Sequence, residues 1–401
     1  MAQKKITVPS RSNPKSVSVD FLTTTSRVPV AVKSALIMLS KSQKVFFILL
    51  FIVALIKSGI WVFPAINASL MIARNPFINP FLNPGDQYLM TTWLGSYLLN
   101  IFGIKSIAGV IWFFLTCGIF SLFVLWFTVK KHVPSSLRAR SVTFMALVPA
   151  VSMVFYWIGM DTFTFLLFSL FLYFSKNAYA TFAIGILLGM QHFEIGFGGG
   201  ISLVVYQVLS QRSVLKNRNL MGASGFVGGL VLGEFLLRWI FAGHDIVIKS
   251  NRTSIGLETV KTNKNVIIGN IVPIYWSLFG TFWLLIALLV KRYDREIMAF
   301  LVALIIPMAI VFFVKDQSRI MQLSSFILIM QAVVLNPNQL RKLKDLHIRI
   351  ILLLWLIFPW VWFWGSTRYS VIGFDIRYLI SRVQHNDLAP WNGSITMWPF
   401  S

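Results

Sequence analysis

Apolar residues run through this chain in blocks of about 17–25, broken by short polar or basic segments, from residue 45 to residue 367. Blocks of that length cross a bilayer as helices. The pattern predicts spans near 45–66, 106–129, 141–159, 162–175, 177–192, 195–210, 219–241, 267–290, 297–314, 320–335 and 349–367, about eleven in all. Irregular block lengths and missing hairpin turn chemistry argue against a β-barrel. The fourth, fifth and sixth blocks are shorter than the roughly 20 residues of a full crossing. Glu194 lies between two of them and is followed by Gly196, Gly198, Gly199 and Gly200. These short helices either tilt in a locally thin bilayer or stop beneath the surface around a water-filled cavity; the second is favoured, because irregular backbone at membrane depth survives only inside protein or against water.

Residues 88–103 break the block pattern. Apolar and hydroxyl residues alternate there at helical spacing, which predicts an amphipathic helix lying in the interface. Gly225, Gly229 and Gly233 mark a small-residue face for close helix contact.

Charge then orients the spans. With the N-terminus inside and the C-terminus outside, 23 basic residues fall on inner segments and 12 on outer ones, with Lys57 inside the first span. The positive-inside tendency favours that orientation. The net charge of +23 therefore reflects basic loops and not nucleic-acid binding. Composition agrees, at 57% hydrophobic and 12% charged residues. The chain is thus expected to divide into a disordered basic cytoplasmic tail at 1–43, a transmembrane domain at 44–367 and an outer tail at 368–401. A cleaved organellar targeting segment would share the composition of the first part. The single cysteine, Cys117, excludes an intrachain disulfide and a cysteine-based metal site.

The chemistry is carried by a few of the 13 acids. Asp86, Asp161, Glu194 and Asp316 all border apolar blocks, and the topology puts them on the outer side. Asp86 sits in Asn83-Pro84-Gly85-Asp86, which is also common turn composition. Asp161 could cap the following helix. Glu194 beside His192 lies in an otherwise apolar hairpin, where ionisable groups are costly. Lys315, Asp316 and Arg319 read either as a turn with a local ion pair or as an anion clamp, with Arg319 forked onto phosphate and Asp316 holding its guanidinium. Glu234 and Arg238, four apart, fall on one helix face as a pair. Loop 242–266 carries Lys249, Arg252, Lys261 and Lys264, which suits a solvated loop or a phosphorylated lipid head group. Arg368, Arg377 and Arg382 near Trp391 and Trp398 suit an interfacial tail. Five histidines without paired spacing assign no metal site.

Laid out this way, residues 45–367 resemble the GT-C superfamily of polytopic glycosyltransferases. The resemblance rests on Asp86 in the first outer loop before an interfacial helix, on short middle spans with Asp161 and Glu194 at their outer ends, and on the late Asp316 to Arg319 element. It implies an all-α polytopic bundle that moves a sugar from a polyprenyl-phosphate-linked donor to a glycan, lipid or protein acceptor, on the outer face of a bacterial plasma membrane. Asp86, Glu194 and Asp161 would then be the catalytic carboxylates. Arg319, Lys315, Arg238 and Arg252 would bind the donor phosphate, with Asp316, His192 and Glu234 in support. Several members carry paired acids in the first loop, whereas Gln87 follows Asp86 here. No cofactor is assigned, and a divalent cation stays open. An O-antigen-type polysaccharide polymerase, or a lipid-linked sugar transporter or assembly subunit, would share the many spans and basic outer loops.

Overall fold

The computed structural model describes residues 48–54, 65–211, 217–248, 252–290, 294–314, 316–358, 360–363 and 367–370. The expected tail at 1–43, Lys57, Lys315 and the segment beyond residue 370 lie outside the described residues. The helices are α1 (Ile66–Arg74), a 3-10 turn (Pro84–Thr92), α2 (Trp93–Ile101), α3 (Ile107–His132), α4 (Ser135–Leu147), α5 (Pro149–Tyr156), α6 (Met160–Phe174), α7 (Ala178–Ser210), α8 (Arg218–Gly243) and α9 (Arg252–Gly269). They continue with α10 (Ile271–Phe279), α11 (Phe282–Val290), α12 (Arg295–Ile310), α13 (Gln317–Ile329), α14 (Pro337–Arg341) and α15 (Asp345–Ile357). A two-stranded hairpin, β1 (Trp360–Phe363) with β2 (Thr367–Ser370), pairs antiparallel with Val361 opposite Tyr369.

Long apolar helices make the chain an integral membrane protein. Among the described residues four are long and apolar enough to cross a bilayer, and two bent pairs bring that to six. Three of the eleven expected blocks depart from a single continuous helix among the described residues, and the breaks have local causes. The block at 141–159 bends by 59° between α4 and α5, where Val148 is extended before Pro149, the conformation proline imposes on its predecessor. The block at 267–290 turns by 87° at Gly280, whose φ of 53° is left-handed and suits glycine. The last block is helical only to Ile357 and continues as β1. Loop 242–266 holds most of an 18-residue helix, α9, on which Lys261 and Lys264 are exposed. The region at 88–103 is a 3-10 turn followed by the nine-residue α2, too short to cross.

The 33 residues of α7 are helical throughout except at His192, where φ is −163° and ψ is 69°. Its two arms fold back on one another. Gly185 and Gly200 both abut Phe226, Gly189 and Gly196 both abut Leu230, and Ser175 and Gln211 line one cavity. The result is the helical hairpin that the blocks at 177–192 and 195–210 anticipate. Glycines permit it: side chains at Gly185, Gly189, Gly229 and Gly233 would run into the facing backbone, so α8 lies directly on the first arm. Gly189 faces Gly233; from there the tip rises roughly 5 Å to His192 while α8 runs on roughly 15 Å to Gly243. Segment α2 sits on that step, with the Gly95 N–H donating to Gln191 Oε1 at 2.7 Å.

Helix α13 is the buried centre. Every residue from Ile320 to Val334 except Gln331 is buried, including Gln322, Ser324 and Ser325. Several of its polar side chains bond neighbouring elements: Gln322 Nε2 donates to the Ser277 carbonyl at 2.7 Å, Ser318 Oγ donates to Ser277 Oγ at 2.7 Å, and the Phe363 N–H donates to Ser318 Oγ at 2.7 Å. These bonds tie α10 and β1 to the head of α13.

Candidate functional site

The start of α6, the tip of α7 and the start of α13 bring charged side chains together at one end of the bundle. Asp161, in the first turn of α6, is buried. Its Oδ2 accepts from Arg319 Nη1 at 2.5 Å and its Oδ1 stands 3.5 Å from His192 Nδ1. Asp316 precedes α13, and its Oδ2 is 2.6 Å from Arg319 Nε. The guanidinium carbon lies 5.2 Å from the centre of the Trp157 ring, which stacks on Trp362 at 5.9 Å and 19°. Tyr88, two residues beyond Asp86, is within electrostatic reach of the same arginine.

Each position follows from local structure. Asp161 and Asp316 both stand at helix N-termini, where backbone N–H groups and the dipole favour an anion. Arg319 lies one turn into α13, so the i, i+3 spacing lays it against Asp316. The break at His192 turns its ring toward Asp161. In these low-dielectric surroundings one cation is shared by two acids, an arrangement held by its geometry more than by net Coulomb gain.

Arg319 is 22% exposed at its side chain. Its contacts to the two acids use Nε and Nη1, and no hydrogen bond or ion pair among the described residues uses Nη2. Asp316 Oδ1 and Gln317 Oε1 are buried beside it with no hydrogen-bond partner. The cluster is thus a braced arginine with spare donors on one side and spare acceptors nearby.

Of the remaining sequence candidates, Asp86, Glu234 and Arg238 form pairings of their own. Asp86 is exposed in the 3-10 turn, where Asn83 Nδ2 donates to it at 3.3 Å and Asn83 Oδ1 caps Gly85 at 2.9 Å, so the turn chemistry of Asn-Pro-Gly-Asp is realised. Glu194 is half-buried at the head of the descending arm of α7, two residues past the break. Glu234 and Arg238 bond each other at 2.7 Å, with Arg238 72% exposed on the flank of α8. Arg252 opens α9. Sequence reasoning missed Trp157, Trp362, Tyr88 and Gln191. Gln191 had a visible signal, an amide beside His192 in an apolar block; the aromatic residues had none among so many others. Among the described residues no group of three or more His, Cys, Asp or Glu could hold a metal ion. Comparison with protein-family models, curated proteins and solved structures finds no match to this chain.

Proposed function

We propose that this chain is a membrane glycosyltransferase that takes its sugar from a polyprenyl-phosphate-linked donor on the outer face of the membrane, as the resemblance to GT-C enzymes implies. The observation that carries the reading is Arg319, held by Asp161 and Asp316 against Trp157, with Nη2 in no hydrogen bond or ion pair among the described residues. Such a guanidinium is preorganised to meet a phosphate, and its two carboxylates fix it without neutralising every donor. The donor phosphate would rest on Arg319 while its polyprenyl chain stays in the bilayer. An acceptor hydroxyl attacks the anomeric carbon, the bond from that carbon to the phosphate oxygen breaks, and the electron pair leaves on the phosphate beside Arg319. The hydroxyl proton passes to a carboxylate.

Asp161, already accepting from Arg319 and facing His192, fits the part of an orienting residue. That leaves Glu194, near the hairpin tip, and Asp86, in the turn that precedes Tyr88, as the two bases to distinguish. The test has two arms. Native mass spectrometry of the chain purified from membranes should show retained polyprenyl phosphate, lost in Arg319→Ala. In reconstituted transfer, replacing the true base by its amide should lower turnover about 10²–10⁴-fold while donor retention stays. Retention unchanged in Arg319→Ala, or full turnover in both Glu194→Gln and Asp86→Asn, would remove the reading and move a transport or assembly role ahead.

A further inference from the structure

At the other end of the bundle, roughly 20 Å along α6 from Asp161, the C-terminal ends of α3 and α6 lie side by side. The outward face of α3 shows what surrounds them. Trp112, Ile119, Phe123 and Phe127 are exposed at helical spacing and form one apolar stripe along the helix. In a chain that spans a bilayer such a stripe faces acyl chains. It ends at Lys130, three residues past Phe127, and at Lys131. Rings followed by lysines mark the level where hydrocarbon gives way to head groups.

The lysines at this level are held in place. Lys130 Nζ lies 5.2 Å from the centre of the Trp126 ring and 5.5 Å from that of Phe127. Lys131 Nζ lies 4.0 Å from the centre of the Tyr173 ring and donates to the Tyr173 carbonyl at 2.9 Å. Arg138 donates to the Lys130 carbonyl at 3.0 Å and to the Val133 carbonyl at 3.1 Å, which fixes the backbone that carries both lysines. Lys176, in the turn after α6, is exposed, and the charges of Lys131 and Lys176 both act on His132.

Their charge is unmet. Elsewhere at this end Arg140 meets Asp345 at 2.8 Å and Lys342 meets Asp294 at 2.5 Å. Among the described residues Lys130, Lys131 and Lys176 enter no ion pair. Like charges gathered without a counter-ion repel one another, and an anion from outside relieves that repulsion. The apolar stripe selects the anion. A phosphate among the lysines, joined to acyl chains lying along α3, matches both features, whereas a free phosphate or an acidic protein matches one.

We infer that the C-terminal ends of α3 and α6 form a site for an anionic phospholipid, with its phosphate among Lys130, Lys131 and Lys176 and its acyl chains along Phe127 and Phe123. Native mass spectrometry of the detergent-purified full chain reads the site by titration with phosphatidylglycerol or with phosphatidylcholine of the same chains. Phosphatidylglycerol should bind about tenfold more tightly or better. A lysine near an anionic head group contributes about fivefold in affinity, so Lys130→Gln with Lys131→Gln and Lys176→Gln should weaken phosphatidylglycerol binding about 100-fold and leave phosphatidylcholine unchanged. Lys131 also bonds the end of α6, so Lys176→Glu at its exposed position is made separately; it should weaken phosphatidylglycerol about tenfold or more with the helical circular dichroism retained. Arg341→Gln with Lys344→Gln and Arg349→Gln removes the same charge at exposed positions and should leave the affinity within about twofold. Equal binding of the two lipids, or an equal loss in that second triple variant, overturns the site. Binding of polyglutamate or of glycerol 1-phosphate as tightly as phosphatidylglycerol overturns it too, making the patch a dock for an acidic protein or for a bare phosphate.

Discussion

Two arginines at the same end of this bundle make nearly identical contacts in opposite surroundings. Arg319 meets Asp161 at 2.5 Å and Asp316 at 2.6 Å, and both acids are almost wholly buried. Arg238 meets Glu234 at 2.7 Å with its own side chain 72% exposed. Distance alone would rank them together. Burial separates them, because an exposed pair gains little over hydration while a buried one cannot lose a partner without stranding a charge. A third pair, Lys342 Nζ with Asp294 at 2.5 Å, sits between, each side chain about a quarter exposed. The comparison says where charge is structural or functional and where it is incidental, and each pair can be broken separately.

The largest effect belongs to Arg319. Arg319→Ala leaves Asp161 and Asp316 facing one another without a cation, and should cost roughly 3–5 kcal/mol, read as a lowered Tm of the purified chain. The comparison sharpens if the acids are removed as well. Asp161→Asn with Asp316→Asn and Arg319→Met should regain most of that loss, because the cost lies in the stranded charges and not in missing attraction. A triple variant as unstable as Arg319→Ala would show that packing of the guanidinium on Trp157 holds this end together instead.

The three pairs also measure how much could be read beforehand. Glu234 with Arg238, and Asp316 with Arg319, are legible because helical spacing puts four- and three-residue neighbours on one face. Asp161 with Arg319 joins residues 158 apart and carries no such period. What could be read was that both border apolar blocks on one side. The same holds for the fold. The hairpin in α7 was visible because Glu194 interrupts an apolar run, and a long glycine series follows it. The bend at Gly280 was not, since an isolated glycine inside an apolar block is common and its left-handed φ belongs to the folded chain.

Asp294 gives the intermediate case and a pH dependence. Burial alone would push its carboxyl up, but hydrogen bonds from Lys342 and Gln339, with the charge of Lys342, hold it below its ordinary value. A depressed carboxyl stabilises the fold above its unfolded pKa and loses that contribution as pH falls through the folded value. The Tm advantage of the native chain over Asp294→Asn should therefore be complete above about pH 5 and should close as pH drops below about 4. A gap that persists unchanged at the acid end would mean that the amide variant fails through shape and not through charge.

The smallest effect is expected on the flank of α8. Glu234→Ala or Arg238→Ala should change Tm by the equivalent of about 0.5 kcal/mol or less, the range of exposed i, i+4 pairs. Arg238 was also a sequence candidate for holding the donor phosphate, so the same variants test position against role. Arg238 bonds Glu234 and, among the described residues, shares no ion pair with the Asp161 cluster, so Arg238→Ala should retain polyprenyl phosphate as fully as the native chain while Arg319→Ala does not. Loss of the lipid in Arg238→Ala at unchanged Tm would instead extend the donor site onto the flank of α8. The contrast between a buried, braced arginine and an exposed, idle one would then no longer hold.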